Sequence, residues 1–439
     1  MNPQKFFEIA KAKGLSESQL MVSKSTSTNF SLFRHEVDEY EISDTTRVIA
    51  LGVYNGKMGV ARSEELSLSS FEYLVDQIIL GASKVEKEEI ADLFEGSEKY
   101  HKRNVYNKKL AEIPVSEKMA TLRALENKIY AVDERVAEVE AYYAERERSV
   151  YFGNSHGLKL NEKSNYFVIG ASVVTKQGEE TKTNYDGIVD ADFSVVDVDK
   201  FSRHLVEEAV KKFGGETIES KKYPTVLSRE VASSFVGALL ASAIAESVQR
   251  HSSFLEGKLN TKIASSKLTI EEKPLAKNIF FAYFDDEGVA TQNKTVIKKG
   301  VLNTYFYNRE TAKKDGVETT GNAALSGNKM GTSFGNVFVK PGRHSFEEMI
   351  APIEEGVYIT EVMGLGTGLN GSSGDFSCQA EGYMIRKGKV AEPITLITLS
   401  GNVLKMFKDL KDIDNETKLL PGGTTISNMY FKSLNIGGK

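Results

Sequence analysis

The chain reads as an α+β protein in two parts, and three observations predict this. Within each half, segments alternating at the two-residue strand period sit beside segments with helical spacing. No regular succession of strand and helix suggests a doubly wound sheet. The run from Gly214-Gly215 to Lys221-Lys222-Tyr223-Pro224 also breaks the pattern near the middle. The expected division is an N-terminal α+β domain with antiparallel strands and long helices, residues 1–222, and a β-rich C-terminal domain, residues 223–439, around a buried helix of small residues. A length of 439 residues suffices for two or three domains.

The start, MNPQKFFEIAKAKGL, reads as a short amphipathic helix without the apolar core of a signal peptide. Gln19 to Thr26, Asn29 to Arg34 and Thr46 to Val53 alternate as strands. Tyr54-Asn55-Gly56-Lys57 then turns the chain into Met58 to Arg62, because Asn-Gly between apolar runs favours a tight hairpin. Ser69 to Ala82 places Phe71, Leu74, Val75, Ile78 and Ile79 on one helical stripe. Lys84 to Ile113 is polar and reads as a surface connection. A helix is expected over Ser116 to Val132, then strands at Val136 to Tyr143 and Val150 to Phe152, the turn Gly153 to Gly157, and a hairpin (Tyr166 to Lys176, Lys182 to Asp190). A helix at Asp199 to Phe213 closes the first half.

The second half opens on SREVASSFVGALLASAIAESVQR. Ser228 is a suitable N-cap and Glu230 complements the helix dipole. Fifteen residues from Val231 to Ala245 carry no charge, and 11 of the 23 from Ser228 to Arg250 are Gly, Ala or Ser. Few bulky side chains predict a buried helix approached closely by other backbone. Its uncharged run is shorter than the roughly 20 residues that span a bilayer. Strands are expected at Phe280 to Phe284, Ala290 to Lys298, Val301 to Tyr307, Val357 to Val362 and Tyr383 to Arg386, with short helices at Ser345 to Ile353 and Val403 to Leu410.

A net charge of −5 argues against a nucleic-acid surface, which needs clustered Lys and Arg. The single cysteine, Cys378, excludes an intrachain disulfide. With no membrane segment in the sequence, the cytoplasm is the expected compartment. Five features could carry chemistry. His35-Glu36 begins like a zinc-binding HExxH, but Glu39 and Tyr40 stand where a second His would be needed. The six histidines (35, 101, 156, 204, 251, 344) are never within a helical turn of one another. Asp285-Asp286-Glu287 could hold a hard cation, yet three adjacent acids at a strand end point apart, and a turn with Asp-to-backbone bonds fits better. Met363 to Gly371 resembles a phosphate-cradling loop but runs towards a strand, where a dinucleotide site needs a helix. Cys378 has no histidine nearby in sequence and reads as a small core residue.

Several stretches together resemble the TldD/PmbA family, in its PmbA (TldE) branch. They are Asn154-Ser155-His156-Gly157, SSFLEGKLNTKIASSKLTI from Ser252, FDDEGVATQNKTVIKKGVLNTYFYNRETAKK from Phe284, Thr320-Gly321-Asn322-Ala323, and GLGTGLNGSSGDFSCQAEGYMIRKGKVAEPITLITLSGN from Gly364. The likeness covers nearly the whole chain. It implies an N-terminal α+β domain, a β-rich C-terminal domain and cytoplasmic proteolysis by paired TldD-like and PmbA-like subunits. The family is associated with maturation of a peptide antibiotic, antitoxin degradation and the label "modulator of DNA gyrase". In the TldD branch an HExxxH helix and a C-terminal cysteine hold the metal. Registering this chain on its Ser-Ser-Phe motif puts Phe235 and Leu240 near the two histidine positions. The helix from Ser228 to Gln249 contains no histidine even with a few residues of slip, and Leu419 to Gly438 has no cysteine.

The resemblance therefore implies a subunit with no catalytic residues, metal or cofactor of its own, zinc being expected only in a TldD-like HExxxH partner. The expected partners are that subunit or a second copy, and an extended peptide substrate, with neither nucleic acid nor membrane. The expected peptide or partner contacts are Gly366, Asn370, Gly374 and Asp375. Two alternatives stand beside this reading: a stand-alone homodimeric peptide- or protein-binding module, and a peptidase using Asp285, Asp286 or Cys378.

Overall fold

The computed structural model describes residues 2–86, 92–327 and 329–439. The fold is α+β. Its first half is one antiparallel sheet, built from the helix α1 (Gln4–Ala12), strands β1 (Glu17–Phe33), β2 (Glu36–Tyr54) and β3 (Lys57–Ser63), helices α2 (Leu68–Ser83), α3 (Lys108–Glu112) and α4 (Val115–Val132), strands β4 (Val136–Asn154), β5 (Lys159–Gln177) and β6 (Glu180–Asp190), and helix α5 (Val198–Val210). Strand order is β3-β2-β1-β4-β5-β6.

Two helical layers cover one face of this sheet. Phe6 and Ala10 of α1 and the Phe71, Leu74, Val75, Ile78 stripe of α2 pack on Leu20, Val22, Val48 and Ala50. Further along, Leu122, Leu125 and Ile129 of α4 and Leu205, Val206 and Ala209 of α5 pack on Phe30, Leu32, Val139, Tyr143, Phe167 and Val173. On the opposite face, Met21, Ile49, Leu51, Phe152 and Leu160 meet Phe281, Tyr283 and Phe284 from the second half. This join is pinned where the Tyr283 hydroxyl donates to the Asn161 carbonyl at 2.6 Å.

The second half begins at β7 (Lys221–Leu227), which enters a six-stranded mixed sheet. Its order runs through Lys389–Asn402, Asp375–Arg386, Glu355–Met363, β7, Met429–Gly437 and Leu410–Ile413. Thr398–Ser400 also pair with Asn435–Gly437, so five of these strands close into a barrel. Helix α6 (Arg229–Ala241) follows β7, capped by the Ser228 hydroxyl accepting the Val231 amide at 3.3 Å. It buries Val231, Phe235 and Leu239, with Ala232, Val236 and Leu240 on the adjoining row, against Leu227, Ile359, Phe376, Leu399 and Phe431. A second sheet pairs short strands at Ile270–Glu272, Lys294–Lys298, Val337–Val339 and Thr424–Ile426. Among the described residues, no helix is long and apolar enough to cross a membrane.

Three expectations need correction. The helix over 228–250 is broken: it stops at Ala241, and Ile244 bridges Phe306 before a second short helix at Ala245–Gln249. No Gly or Pro causes the break. It comes from tertiary pairing, in which the Ala245 amide donates to Phe306 and the Phe306 amide to Ala243. Backbone does approach small residues just past the end of α6, where Phe306 pairs with Ala243 and Ala245. Within α6, however, Ser234 and Ala241 face outward and a Cβ on Gly237 would meet nothing within 4 Å. The bulkier aliphatic and aromatic residues make the contact instead. Finally, Phe280 to Phe284 and Ala290 to Tyr307 are mostly irregular, with ladders only at Lys294–Lys298 and Val301–Leu302.

The expected surface connection at Lys84 to Ile113 lies partly outside the described residues. From Asp92 onward it is a strap between the two halves: Leu93 is buried, Arg309 donates to Asp92 at 2.8 Å, and Tyr100 donates to the Gly288 carbonyl at 2.6 Å.

Candidate functional site

The loop carrying Gly366, Asn370, Gly374 and Asp375 joins two barrel strands. Gly364, at φ +78°, turns the chain out of Glu355–Met363 into one helical turn at Leu365–Gly368. The Asn370 side chain then accepts the Ser372 and Ser373 amides, both at 3.0 Å, and its backbone amide donates to Asp375 at 2.8 Å. Asn402 Nδ2 clamps the far side, donating to the Ser373 carbonyl and the Asp375 carboxylate, each at 2.9 Å. Hydrogen bonds from Asn402 and Ser373 hold the Asp375 carboxyl below its usual range.

The structure thus brings the four predicted residues into one loop, with two different duties. Gly366, Asn370 and Asp375 are exposed. Gly374 is buried at φ +78°, and a Cβ there would come within 3.1 Å of Phe254, so its duty is the turn itself. The exposed polar tip offers hydrogen-bond donors and acceptors, and no charged group poised for proton transfer.

The positions registered on the metal-binding histidines lie in the barrel core, Phe235 at 0% exposure and Leu240 at 1%. Phe235 meets Phe376 edge-on, with ring centroids 4.8 Å apart. Neither side chain has a lone pair to offer, so these positions do not fit a zinc ion. Cys378 is buried with its thiol towards the Leu399 carbonyl, and burial pushes that thiol up to about 11, far from a reactive thiolate. Among the described residues, no three His, Cys, Asp or Glu stand close enough together to hold a metal ion. His35 sits in a β1–β2 hairpin turn, at φ 68°, against Tyr130.

The acidic turn is a structural knot. Asp285 accepts the Glu287, Val289 and Ala323 amides at 3.0, 2.9 and 2.9 Å, Asp286 accepts the Leu325 amide at 2.7 Å, and Glu287 accepts the Arg309 amide at 2.9 Å. Burial, with the Glu287 charge adding to it, pushes the Asp285 carboxyl up to about 8. Each carboxylate is spent on backbone, which leaves little with which to coordinate a cation.

Sequence reasoning missed two clefts between the halves. One, of about 830 Å³, lies between Met58-Gly59-Val60 of β3 and the strap on one side and Glu246, Arg250, Arg309 and Lys314 on the other. The other, of about 420 Å³, lies between Arg146, Arg148 and Glu162 of the sheet and Glu272, Asp286 and Asn322. Their walls come from segments far apart in the chain, so no local motif marks them. Both mix acids, bases and apolar surface, a lining compatible with a polypeptide segment.

Comparison with known proteins agrees with this architecture. Residues 108–213 match the PmbA/TldA metallopeptidase central domain and residues 220–438 its C-terminal domain. The chain is 25% identical to metalloprotease PmbA of Escherichia coli O157:H7, over 92% of this chain and 89% of that one. It superimposes on a Thermotoga maritima protein described as a modulator of DNA gyrase with a TM-score of 0.91 and 27% identity, covering 99% of both chains. TldE from Thermococcus kodakarensis, at 20% identity and a TM-score of 0.90, shares the fold over 99% of both chains. The chain belongs to the PmbA/TldD metallopeptidase family.

Proposed function

We propose that this chain is a PmbA/TldE-type subunit of a cytoplasmic TldD/TldE-type metallopeptidase system acting in proteolysis or peptide maturation, with no metal centre of its own. The observation that carries this reading is the inner face of α6. Where the TldD branch would present two imidazoles, Phe235 and Leu240 are packed into apolar core. The buried Cys378 thiol supports it, being held protonated and hydrogen-bonded to backbone. Zinc and its chemistry belong, on this reading, to a TldD-like HExxxH partner. This chain contributes walls and hydrogen bonds that hold an extended peptide, with Gly366, Asn370 and Asp375 at a contact loop that Gly374 shapes.

The test is elemental analysis of the purified chain, alone and mixed with a TldD-like protein, with peptide hydrolysis followed on both. The expected result is no stoichiometric zinc and no cleavage by the chain alone, and chelator-sensitive cleavage by the mixture. Stoichiometric zinc in the chain alone would overturn the reading. So would chelator-resistant cleavage by the chain alone that a point substitution within it abolishes.

A further inference from the structure

Strand β2 is paired along its whole length on only one side. Glu36–Val53 pair with β1, but β3 reaches only Val48–Tyr54. Residues Glu36 to Arg47 are therefore an open sheet edge, where alternate backbone amides and carbonyls point outward without a strand to meet them. Natural sheets usually protect such an edge with a bulge, a proline or a covering helix. Here a single bulge at Asp38 interrupts the edge near its start, the stretch holds no proline, and neither helical layer extends over it.

The edge has two chemically different faces. Residues directly opposite in an antiparallel pair share a face. Val37 lies opposite Leu32, Tyr40 opposite Phe30 and Ile42 opposite Thr28, so these three stand on the helix-bearing face, beside the core that α4 covers. They are 43%, 55% and 54% exposed, an apolar stripe without a cover. Glu39 and Glu41, opposite Ser31 and Asn29, point to the other face. Over the whole edge, five acids (Glu36, Asp38, Glu39, Glu41, Asp44) stand against one base, Arg47.

We propose that the open edge Glu36–Arg47 is a docking edge for an extended strand of a partner polypeptide in which basic and apolar side chains alternate. Strand addition would satisfy the outward backbone groups. The strand period would place its apolar residues beside Tyr40 and Ile42, with Val37 on the same face beyond the bulge at Asp38, and its Lys or Arg residues beside Glu39 and Glu41. A second copy of the same edge fits poorly, because acids would face acids. The opposite edge of the sheet, β6, carries Glu180, Asp186 and Asp190 against Lys182 alone, so it supplies no basic complement. The inference does not rest on the metal-free subunit reading: loss of edge binding would leave the zinc analysis unchanged, and the reverse holds.

The experiment titrates the full chain with a capped eight-residue peptide of alternating Lys and Val. The controls are its Glu–Val counterpart and a Lys–Val peptide methylated on alternate backbone nitrogens. The Lys–Val peptide should bind, at least tenfold more tightly than either control, and weaken as salt screens the charges. Its binding should slow amide exchange within residues 36–47. A double variant, E39K with E41K, changes two exposed side chains and should reverse the preference towards Glu–Val. The proposal fails if the methylated peptide binds as well as its parent, if protection appears elsewhere, or if the double variant keeps the original preference. It also fails if the chain alone self-associates and thereby protects residues 36–47, since a second copy would then be the occupant.

Discussion

The two halves solve the same problem, burying one face of a sheet, in opposite ways. In the second half five strands close on each other, and α6 and its neighbours share one core with them. Closure at Thr398–Ser400 with Asn435–Gly437 shortens the free edge of these strands, so much of what the barrel offers to a partner lies at hairpin ends such as the loop from Gly364 to Asp375. In the first half the sheet stays open, and β1, β2, β4 and β5 run for 17 to 19 residues, beyond the helices that cover them. What projects is the bare half of β2. The comparison separates two kinds of surface: side chains at loop tips in the closed part, backbone and stripe in the open part.

The sharpest way to break that contrast is to truncate one aromatic residue in each half. Phe235→Ala removes a fully buried ring packed against Phe376 and should destabilise by about 3–5 kcal/mol. Tyr40→Ala removes a ring that stacks on Phe30 at 6.3 Å but is half in water, and should cost under about 1 kcal/mol. Urea unfolding monitored on both variants decides the matter. Comparable losses would mean that side chains on the β2 edge stabilise the fold as strongly as those in the barrel core.

The junction between the halves gives the next effect. Both Asp285 oxygens accept backbone amides, so Asp285→Asn must turn its NH2 towards an amide donor, a loss of about 1–3 kcal/mol. The pH dependence has a definite sign. Because the folded carboxyl sits at about 8, well above its ordinary 3.8, the native state holds a proton that the unfolded chain has released between those values. This group's contribution to stability is therefore fully present below pH 4 and is lost as pH rises to about 8. Unfolding midpoints measured across that window should decline in the parent chain, less so in the Asn variant. An unchanged slope would mean that Asp285 is ionised throughout.

Local punctuation made part of this legible in the sequence. Asn55-Gly56, the turn from Gly153 to Gly157, and the apolar stripes of α2 and α4 each specify their element from neighbouring residues. The long strands are different. Ser43-Asp44-Thr45 and Glu145-Arg146-Glu147-Arg148 have the polarity of loops, yet they continue β2 and β4 because a neighbouring strand supplies the hydrogen bonds. Likewise the end of α6 is decided by Phe306, far along the chain from Ile244. At the candidate site, the Gly-rich loop and the acidic turn were visible as short motifs. The clefts were not, since contacts such as Arg309 with Asp92 join segments 217 residues apart.

The smallest expected stability change sharpens the loop-tip side of the comparison. Gly374 and Gly366 lie in the same loop, but only Gly374 needs its glycine. Gly374→Ala forces a Cβ into a left-handed conformation at φ +78°, within 3.1 Å of Phe254, and should destabilise by about 1–2 kcal/mol. Gly366→Ala meets nothing within 4 Å and should alter stability by less than about 0.5 kcal/mol. If the exposed tip touches a peptide or a partner subunit, the added methyl should still slow hydrolysis by a mixture with a TldD-like protein several-fold. Thermal melts and initial rates on both variants separate the cases. Should hydrolysis fall only with Gly374→Ala, in step with lost stability, the loop is a brace for Phe254 and Asn402, and the contact surface lies elsewhere.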